Sequence, residues 1–457
     1  MLRSSLGSVL ALAIPLGVPS VLFALLAACS HDTDVSASLV DAAAPAPDAR
    51  VAPSGPTIEV TTRAPAVTIA AAPKASATWA AYSLDDGEWK TIAPASEGTY
   101  LLPVPALRWA IALVCASGDD ALSTVFVHRR LRAAAALEVA LEDYCTPPAP
   151  PEEFALDGTL LHVPASTQWL DFGYARTSRG DAIPAAGNMI PYEVVGIAPG
   201  TWDLTFGVRA DSFGTLTRVV IQRGAVITAD TKLDVDMTGP GAFTPGTKRL
   251  ALRGIAPGDT VTPLVLYGAG GPYGIDLGPQ DVPADKADVM LSYATVPEPL
   301  QIATDRYRGT LGAEHDHRSG GRAIVFDLHQ AIDLDLTFLP DPPPPLVRGL
   351  SGAPQLRLET RFPVLASAAR HEVRATTSIN RRTRHVWLAT FDAASLGGAA
   401  EVVDGMPALA ALPGWKSDWN LQPGVNVDVL ATAYETPRAL GDGTVQRSSS
   451  KATTVSP

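Results

Sequence analysis

Gly196-Ile197-Ala198-Pro199-Gly200-Thr201-Trp202-Asp203-Leu204-Thr205-Phe206 is the stretch whose reading decides the fold. Its first half ends on Pro-Gly. Proline presets φ for the first central position of a tight turn, and glycine accepts the positive φ needed at the second. Its second half enters a strand that carries an aromatic or β-branched residue two or three positions after the turn. The pentapeptide recurs identically as Gly254-Ile255-Ala256-Pro257-Gly258, before Thr260-Val261-Thr262. Looser versions stand at Leu421-Gln422-Pro423-Gly424 and Gly98-Thr99-Tyr100. A turn and strand reused along the chain predict a tandem array of antiparallel β modules.

The surrounding sequence agrees. Runs at Leu156–Val163, Trp169–Arg176, Met189–Val195, Thr201–Arg209, Leu216–Gln222 and Lys232–Met237 are parted by Gly, Pro, Asn and Asp clusters. Short strands at regular spacing with turn signals between them read as a sandwich, here residues 152–238. Before it, residues 57–146 hold a hairpin signal, Thr78–Leu84 and Trp89–Ile92 around Asp85-Asp86-Gly87, and further strands to Glu142; Arg129–Glu142 suits helix as well as strand. Residues 247–340 add strands at Arg249–Gly254, Pro263–Tyr267, Asp288–Tyr293, Leu300–Thr304, Ala323–Leu328 and Ile332–Phe338. Residues 346–437 add Gln355–Phe362, His371–Ser378, His385–Phe391 and Val425–Tyr434, with short helical turns at Ala393–Leu396 and Ala408–Leu412. Pro147–Pro151 and Asp341–Pro345 read as stiff joints. Residues 438–457 are polar and Ser/Thr-rich and read as a flexible tail.

Pro-Gly turns before an alternating strand resemble those of carboxypeptidase-regulatory-like (prealbumin-like) and related Ig-like β-sandwich modules, over residues 154–237. That resemblance implies a structural or binding module with no active site to carry over. The expected fold class is therefore all-β, with tandem antiparallel sandwiches.

The other end of the chain speaks to location. Met1-Leu2-Arg3 is positive, and Val9 to Ala28 is mostly apolar with Pro15 and Pro19 inside it. This is the layout of a secretory signal, and the prolines would kink a spanning helix. The run ends in Leu26-Ala27-Ala28-Cys29, which resembles the lipobox of bacterial lipoproteins. In that family the cysteine is lipidated through sulfur and the signal, here residues 1–28, is cut just before it. Cys29 would then tie the chain to a membrane by several acyl chains, such as palmitate, each buried CH₂ contributing about 0.8 kcal/mol. The family treats Asp after the cysteine as an inner-membrane signal; Ser30 stands there and directs the expectation to the outer membrane. Residues 29–56, rich in Pro and Ala, are too poor in large apolar side chains to fold and read as a disordered tether.

Composition narrows the partners. The formal charge of -12 repels nucleic-acid phosphates. Three cysteines leave Cys115 and Cys145 once Cys29 is lipidated. In an oxidising compartment such a pair reads as a disulfide, and closing its loop stabilises by about 3–4 kcal/mol.

Chemistry-bearing residues are few. Glu314-His315-Asp316-His317 places two imidazoles and a carboxylate close enough for one metal ion, with His329 as a further ligand. A solvated loop is the plainer alternative. His371-Glu372 begins like a zincin motif, but Ala375 stands where its second His belongs. Gly268–Gly274 lacks the Lys-Ser/Thr of a phosphate loop. Trp415 and Trp419 can present two indoles to a sugar ring or pack inside a core. No stretch amounts to a catalytic signature and none calls for a cofactor. The expectation is a lipid-anchored, non-enzymatic envelope protein that binds a polysaccharide or another surface protein. The rivals are a structural spacer or secretion-assembly component, and a metal-dependent hydrolase using the 314–317 loop.

Overall fold

The structure is a computed structural model. It describes residues 57–61, 77–94, 99–103, 108–116, 123–131, 139–140, 153–174, 177–182, 188–211, 214–270, 274–278, 282–283, 286–314, 320–352, 355–378, 384–435 and 443–456. The segments read above as signal and tether, together with Cys145, His315 and His317, lie outside these residues.

Every described element is a strand or a short 3-10 turn. The first module holds β1 (Thr57–Thr61), β2 (Trp79–Leu84), β3 (Lys90–Thr91), β4 (Thr99–Pro103), β5 (Arg108–Ala116), β6 (Ser123–Leu131) and β7 (Val139–Ala140). The second holds β8 (Phe154–Leu161), β9 (Trp169–Tyr174), β10 (Thr177–Ala182), β11 (Met189–Ile197), β12 (Gly200–Arg209), β13 (Leu216–Ile227), β14 (Thr231–Lys232), β15 (Val235–Asp236) and β16 (Ala242–Phe243). The third holds β17 (Gly246–Arg253), β18 (Thr260–Gly268), β19 (Ile275–Asp276), β20 (Val282–Pro283), β21 (Asp288–Thr295), β22 (Arg306–Glu314), β23 (Arg322–Leu328) and β24 (Leu334–Thr337). The fourth holds β25 (Leu346–Ser351), β26 (Arg357–Pro363), β27 (Arg370–Ser378), β28 (Arg384–Asp392), β29 (Glu401–Gly405), β30 (Val427–Tyr434) and β31 (Thr444–Val455).

One topology recurs four times. The larger sheets run β3-β2-β5-β6, β10-β9-β12-β13, β19-β18-β22-β23 and β28-β27-β30-β31. The smaller sheets run β4-β1-β7, β11-β8-β14, β21-β17-β24 and β29-β26-β25. The last strand of each smaller sheet is parallel to its neighbour in the first three modules, where it returns from the larger sheet. In the fourth, β25 fills that slot from the upstream side and pairs antiparallel. The chain is thus a tandem array of antiparallel β-sandwiches.

The modules do not stand apart. β31 pairs with β23 on one edge and β30 on the other, and β28 pairs in parallel with β6. The larger sheets of the third, fourth and first modules so merge into one 13-stranded sheet. Along the array the order is second, third, fourth, first. Residues from the outward face of β13, Val219 and Ile221, join the core of the third module. Trp79, Ala112, Val125 and Val127 of the first module join the core of the fourth. A buried apolar joint of this kind suppresses the relative motion that small polar interfaces allow.

Several expectations change. The segment expected as a flexible tail is β31, a 12-residue strand with Ser449 fully buried. Its hydroxyls bind backbone at and beyond the edge of the ladder: Ser449 donates to Pro340 O at 2.9 Å, Ser450 to Gly321 O at 2.9 Å and Thr453 to Pro345 O at 3.1 Å. The same bonds pin the 341–345 joint against the sheet. Leu300–Thr304 is not a strand: Leu300 closes a 3-10 segment, Glu298–Leu300, and the turn after it is held by Asp305 N–H to Ile302 O at 2.9 Å and Ile302 N–H to Asp305 Oδ2 at 3.0 Å. Ala408–Leu412 is an irregular turn. The identical pentapeptides occupy different slots: the first joins β11 to β12, the second β17 to β18. Only the second is the expected turn, with Gly258 at φ 87° and Asp259 N–H bonded to Ala256 O at 3.1 Å.

Ser449→Pro removes ladder bonds from a strand paired on both edges and is expected to cost about 3 kcal/mol or more. Ser449→Ala loses one hydroxyl bond and is expected to cost about 1 kcal/mol. Urea denaturation of the two variants checks both figures.

Candidate functional site

The 21 residues between β29 and β30, 406–426, form the longest connection at this slot; between β11 and β12 only two residues intervene. This loop carries Trp415 and Trp419, and it lies on the larger sheet of the first module. Trp79 from β2 packs edge-on to Trp415 with ring centroids 5.1 Å apart, and Trp415 edge-on to Trp419 at 5.3 Å. Trp387 from β28 closes the group at 6.0 Å from Trp415. Three of the four indole N–H groups have a named acceptor: Trp79 to Pro413 O, Trp387 to Trp419 O and Trp415 to Asn420 Oδ1. Trp419 is buried and Trp415 half-buried. The two indoles sequence reading offered to a sugar instead face each other and Trp79. The apolar surface they cover includes Trp79 of the neighbouring module.

Glu314 ends β22 and is buried against Gly321. His315 and His317 lie outside the described residues. His329, proposed as a further ligand, sits at the opposite end of the β22–β23 hairpin, beside Arg306 and Asp305 O. At about 3.3 Å per residue the hairpin separates it from Glu314 by roughly 25 Å. Among the described residues no three His, Cys, Asp or Glu side chains are grouped to hold a metal ion. Cys115 lies in β5 opposite Thr124; its expected partner Cys145 is outside the described residues.

Sequence reading missed the densest polar constellation, which lies between the second and third modules. Gly173 on β9 and Gly207 on β12 leave a flat seat on which Gly274 and Ile275 of the third module rest; a Cβ at either glycine would sit 2.2 Å from them. Beside this seat, Arg209 is fully buried and donates to Asp171 Oδ2 at 2.5 Å, to Gly214 O at 2.9 Å and to Asp276 O at 2.6 Å. A second node forms around Asp305 of the third module, whose carboxylate is fully buried. It accepts from Arg223 of β13 at 2.8 and 2.5 Å, from the Tyr267 hydroxyl, and from the N–H groups of Ile302 and Gly270. Burial alone would raise this carboxyl, but the Arg223, Tyr267 and Ile302 donors outweigh it and hold the group below the usual range. Arg223 also reaches Asp203 at 3.0 Å. Single arginines paired with distant carboxylates carry no local signal in a sequence.

A cleft of about 570 Å³ opens alongside, bounded by Arg209, Thr215, Thr247, Leu277, Met290 and Ser292. The cation at its wall is already compensated, so the cleft offers no unshielded charge to an anion. Asp276 and Asp171 share that one guanidinium. Burial pushes Asp276 up to about 7, against the pull of Arg209 and of the Gly278 N–H. Asp171 is raised by burial too, opposed by Arg209.

No protein-family model and no curated protein matches the chain. Among solved structures the chain is similar to one described as a tetra-tandem repeat in the extending region of a large adhesion protein. The likeness covers 87% of this chain and 98% of that one at 10% identity, with a TM-score of 0.13, too loose to carry an argument. No helix among the described residues is long and apolar enough to cross a membrane.

Trp419→Ala leaves a cavity between the fourth and first modules and is expected to cost about 3–5 kcal/mol in urea denaturation. Asp276 binds its proton more tightly folded than unfolded, so its contribution is most favourable below pH 4 and declines as pH rises from about 4 to about 7. Asp276→Asn is expected to remove that slope and to be more stable than wild type at pH 8 by on the order of 1–2 kcal/mol, discounted for partial solvent screening; thermal melts between pH 4 and 8 read it.

Proposed function

We propose that this chain is a non-catalytic binding or adhesion protein of a bacterial envelope, tethered to the outer membrane through a lipid on Cys29. The observation that supports this reading is the way the modules are joined. A continuous sheet, a tryptophan cluster and buried arginine–aspartate nodes join the described parts of the modules to one another. Modules joined in this way hold the far end of the array at a fixed place and transmit load, which suits attachment. The tether enters at the first module, so the second module is the far end of the array.

The spacer reading draws on one specific observation. Among the described residues every Trp and Tyr side chain with an assigned exposure is buried or half-buried. No aromatic platform is offered to a sugar there, which fits a spacer better than a polysaccharide binder.

Cells producing the wild-type chain are expected to incorporate labelled palmitate into it and to attach to a surface coated with their own envelope fraction. Cys29→Ser should end both while leaving the chain secreted. Excess soluble chain should block attachment if the array binds. Unchanged attachment in its presence would assign the spacer role.

A further inference from the structure

The smaller sheets of the second and fourth modules occupy the same slot and expose opposite chemistry. On the second, Met189 and Val195 of β11 are each 58% exposed. Around them β11 and β8 point Glu193 and Asp157 outward, with Asp234 and Asp236 beside them along the β14–β15 edge, against Lys232 and the imidazole of His162, which is bonded to Asp236 at 2.8 Å. Their inward partners at period two, Tyr192, Val194, Leu156, Leu160 and Val235, are all in the core, which fixes the facing. Glu193 stands directly opposite Asp157. Like charges facing across a sheet are unfavourable within the molecule.

On the fourth module Leu346, Leu350 and Val403 are 68%, 38% and 46% exposed. Leu346, Arg361 and Val403 form one row across β25, β26 and β29, and Arg348 and Glu359 begin the next. Arg348, Arg357 and Arg361 outnumber Glu359 and Glu401. Glu359 is bonded by both Arg348 and Arg361, each at 2.7–2.8 Å, which orders the two guanidinium groups while 63% and 42% of their side chains remain in solvent. The corresponding face of the third module is mixed and self-paired, with Arg253 bonded to Asp335 at 2.6 Å.

We propose that the fourth-module face of one copy of this chain docks on the second-module face of another. Each face carries exposed apolar side chains on its edge strands and a charge balance that the other complements. In a chain of net charge -12, the fourth-module face is a local basic exception. The two faces differ and sit on different modules, so the contact is heterologous and propagates as an open chain or closes as a ring. Each face is three strands wide, about 14 by 23 Å for seven residues per strand. At about 320 Å² per partner the contact is smaller than a standard specific interface, so the association is weak, transient and sensitive to salt. The proposal stands on the two faces and requires neither the anchor nor an adhesive role.

The test uses the full chain carrying Cys29→Ser, so that no acyl group drives association. Sedimentation velocity at low salt is expected to show mass rising with concentration, and about 0.5 M NaCl should suppress it. The double variant Arg348→Glu/Arg361→Glu should stay monomeric, as should Asp157→Lys/Glu193→Lys. Mixing the two variants restores both complementary contacts and should restore association, which a misfolded variant could not do. A wild-type chain that stays monomeric at low salt, or two variants that fail to associate on mixing, overturns the proposal. So does a monomeric wild type that binds phosphatidylglycerol vesicles through Arg348 and Arg361, which would assign the basic face to lipid.

Discussion

Pairing of β31 along both its edges is the constraint on which the array depends. Its first half lies against β23 of the third module and its second half against β30 of the fourth, with Ser448 and Ser449 in register with both. Without it the two larger sheets would each end in an open strand of unpaired N–H and C=O groups, a template for aggregation. With it they become one surface, and both cores lie on the same side of that surface. This follows from the register: Arg322 of β23 and Ala433 of β30 both stand opposite Ser449, and residues in register point to the same face. The position of the 341–345 joint is then determined, because the chain must pass over that face to enter β25.

Where sheets do not merge, buried charge does comparable work at a different cost. Asp305 sits in a site from which water is excluded and survives there because five donors meet it. Such a node adds little net stability relative to an apolar replacement, but loss of one partner strands the other charge. Its effect is geometric: Arg223 reaches Asp305 and Leu300 O only when the third module is seated squarely on Gly173 and Gly207. Asp276 shows the opposite balance. Its single shared cation does not fully offset burial, so this joint carries a penalty that grows as the medium turns neutral.

The fold was legible in the sequence where side-chain alternation and turn chemistry coincide, as at Asp85-Asp86, both at positive φ between β2 and β3. It was illegible where polar residues serve a strand. β31 reads as Thr-Val-Gln-Arg-Ser-Ser-Ser-Lys because its hydroxyls bind the 340–345 backbone, and composition alone equates that pattern with fraying. The side-chain pattern of β22 is interrupted by Gly309, over which the Phe326 ring lies so closely that a Cβ would be 2.0 Å away. The pentapeptide repeat pointed to the right fold through an accident of reuse, since its copies serve non-equivalent turns. Of the candidate site, the tryptophans were visible but their direction was not. A sequence shows that two indoles share a loop and says nothing of the sheet from another module that meets them.

The four modules also show how one scaffold is differentiated without changing its core. Inward positions of the smaller sheets stay apolar, as at Leu156 and Leu160, Leu250 and Leu252, and Leu358 and Phe362. The alternate, outward positions of the same strands carry Asp157, Arg249 and Arg361. Because strand residues alternate with period two, outward residues can change sign at little cost to folding. The seventh slot shows the same freedom at the level of whole strands. β7, β14 and β24 enter it in parallel after the larger sheet, whereas β25 enters from upstream and antiparallel. Taking the seventh strand from upstream leaves β31 extended along β23, so the substitution in the smaller sheet is what lets the larger sheets join.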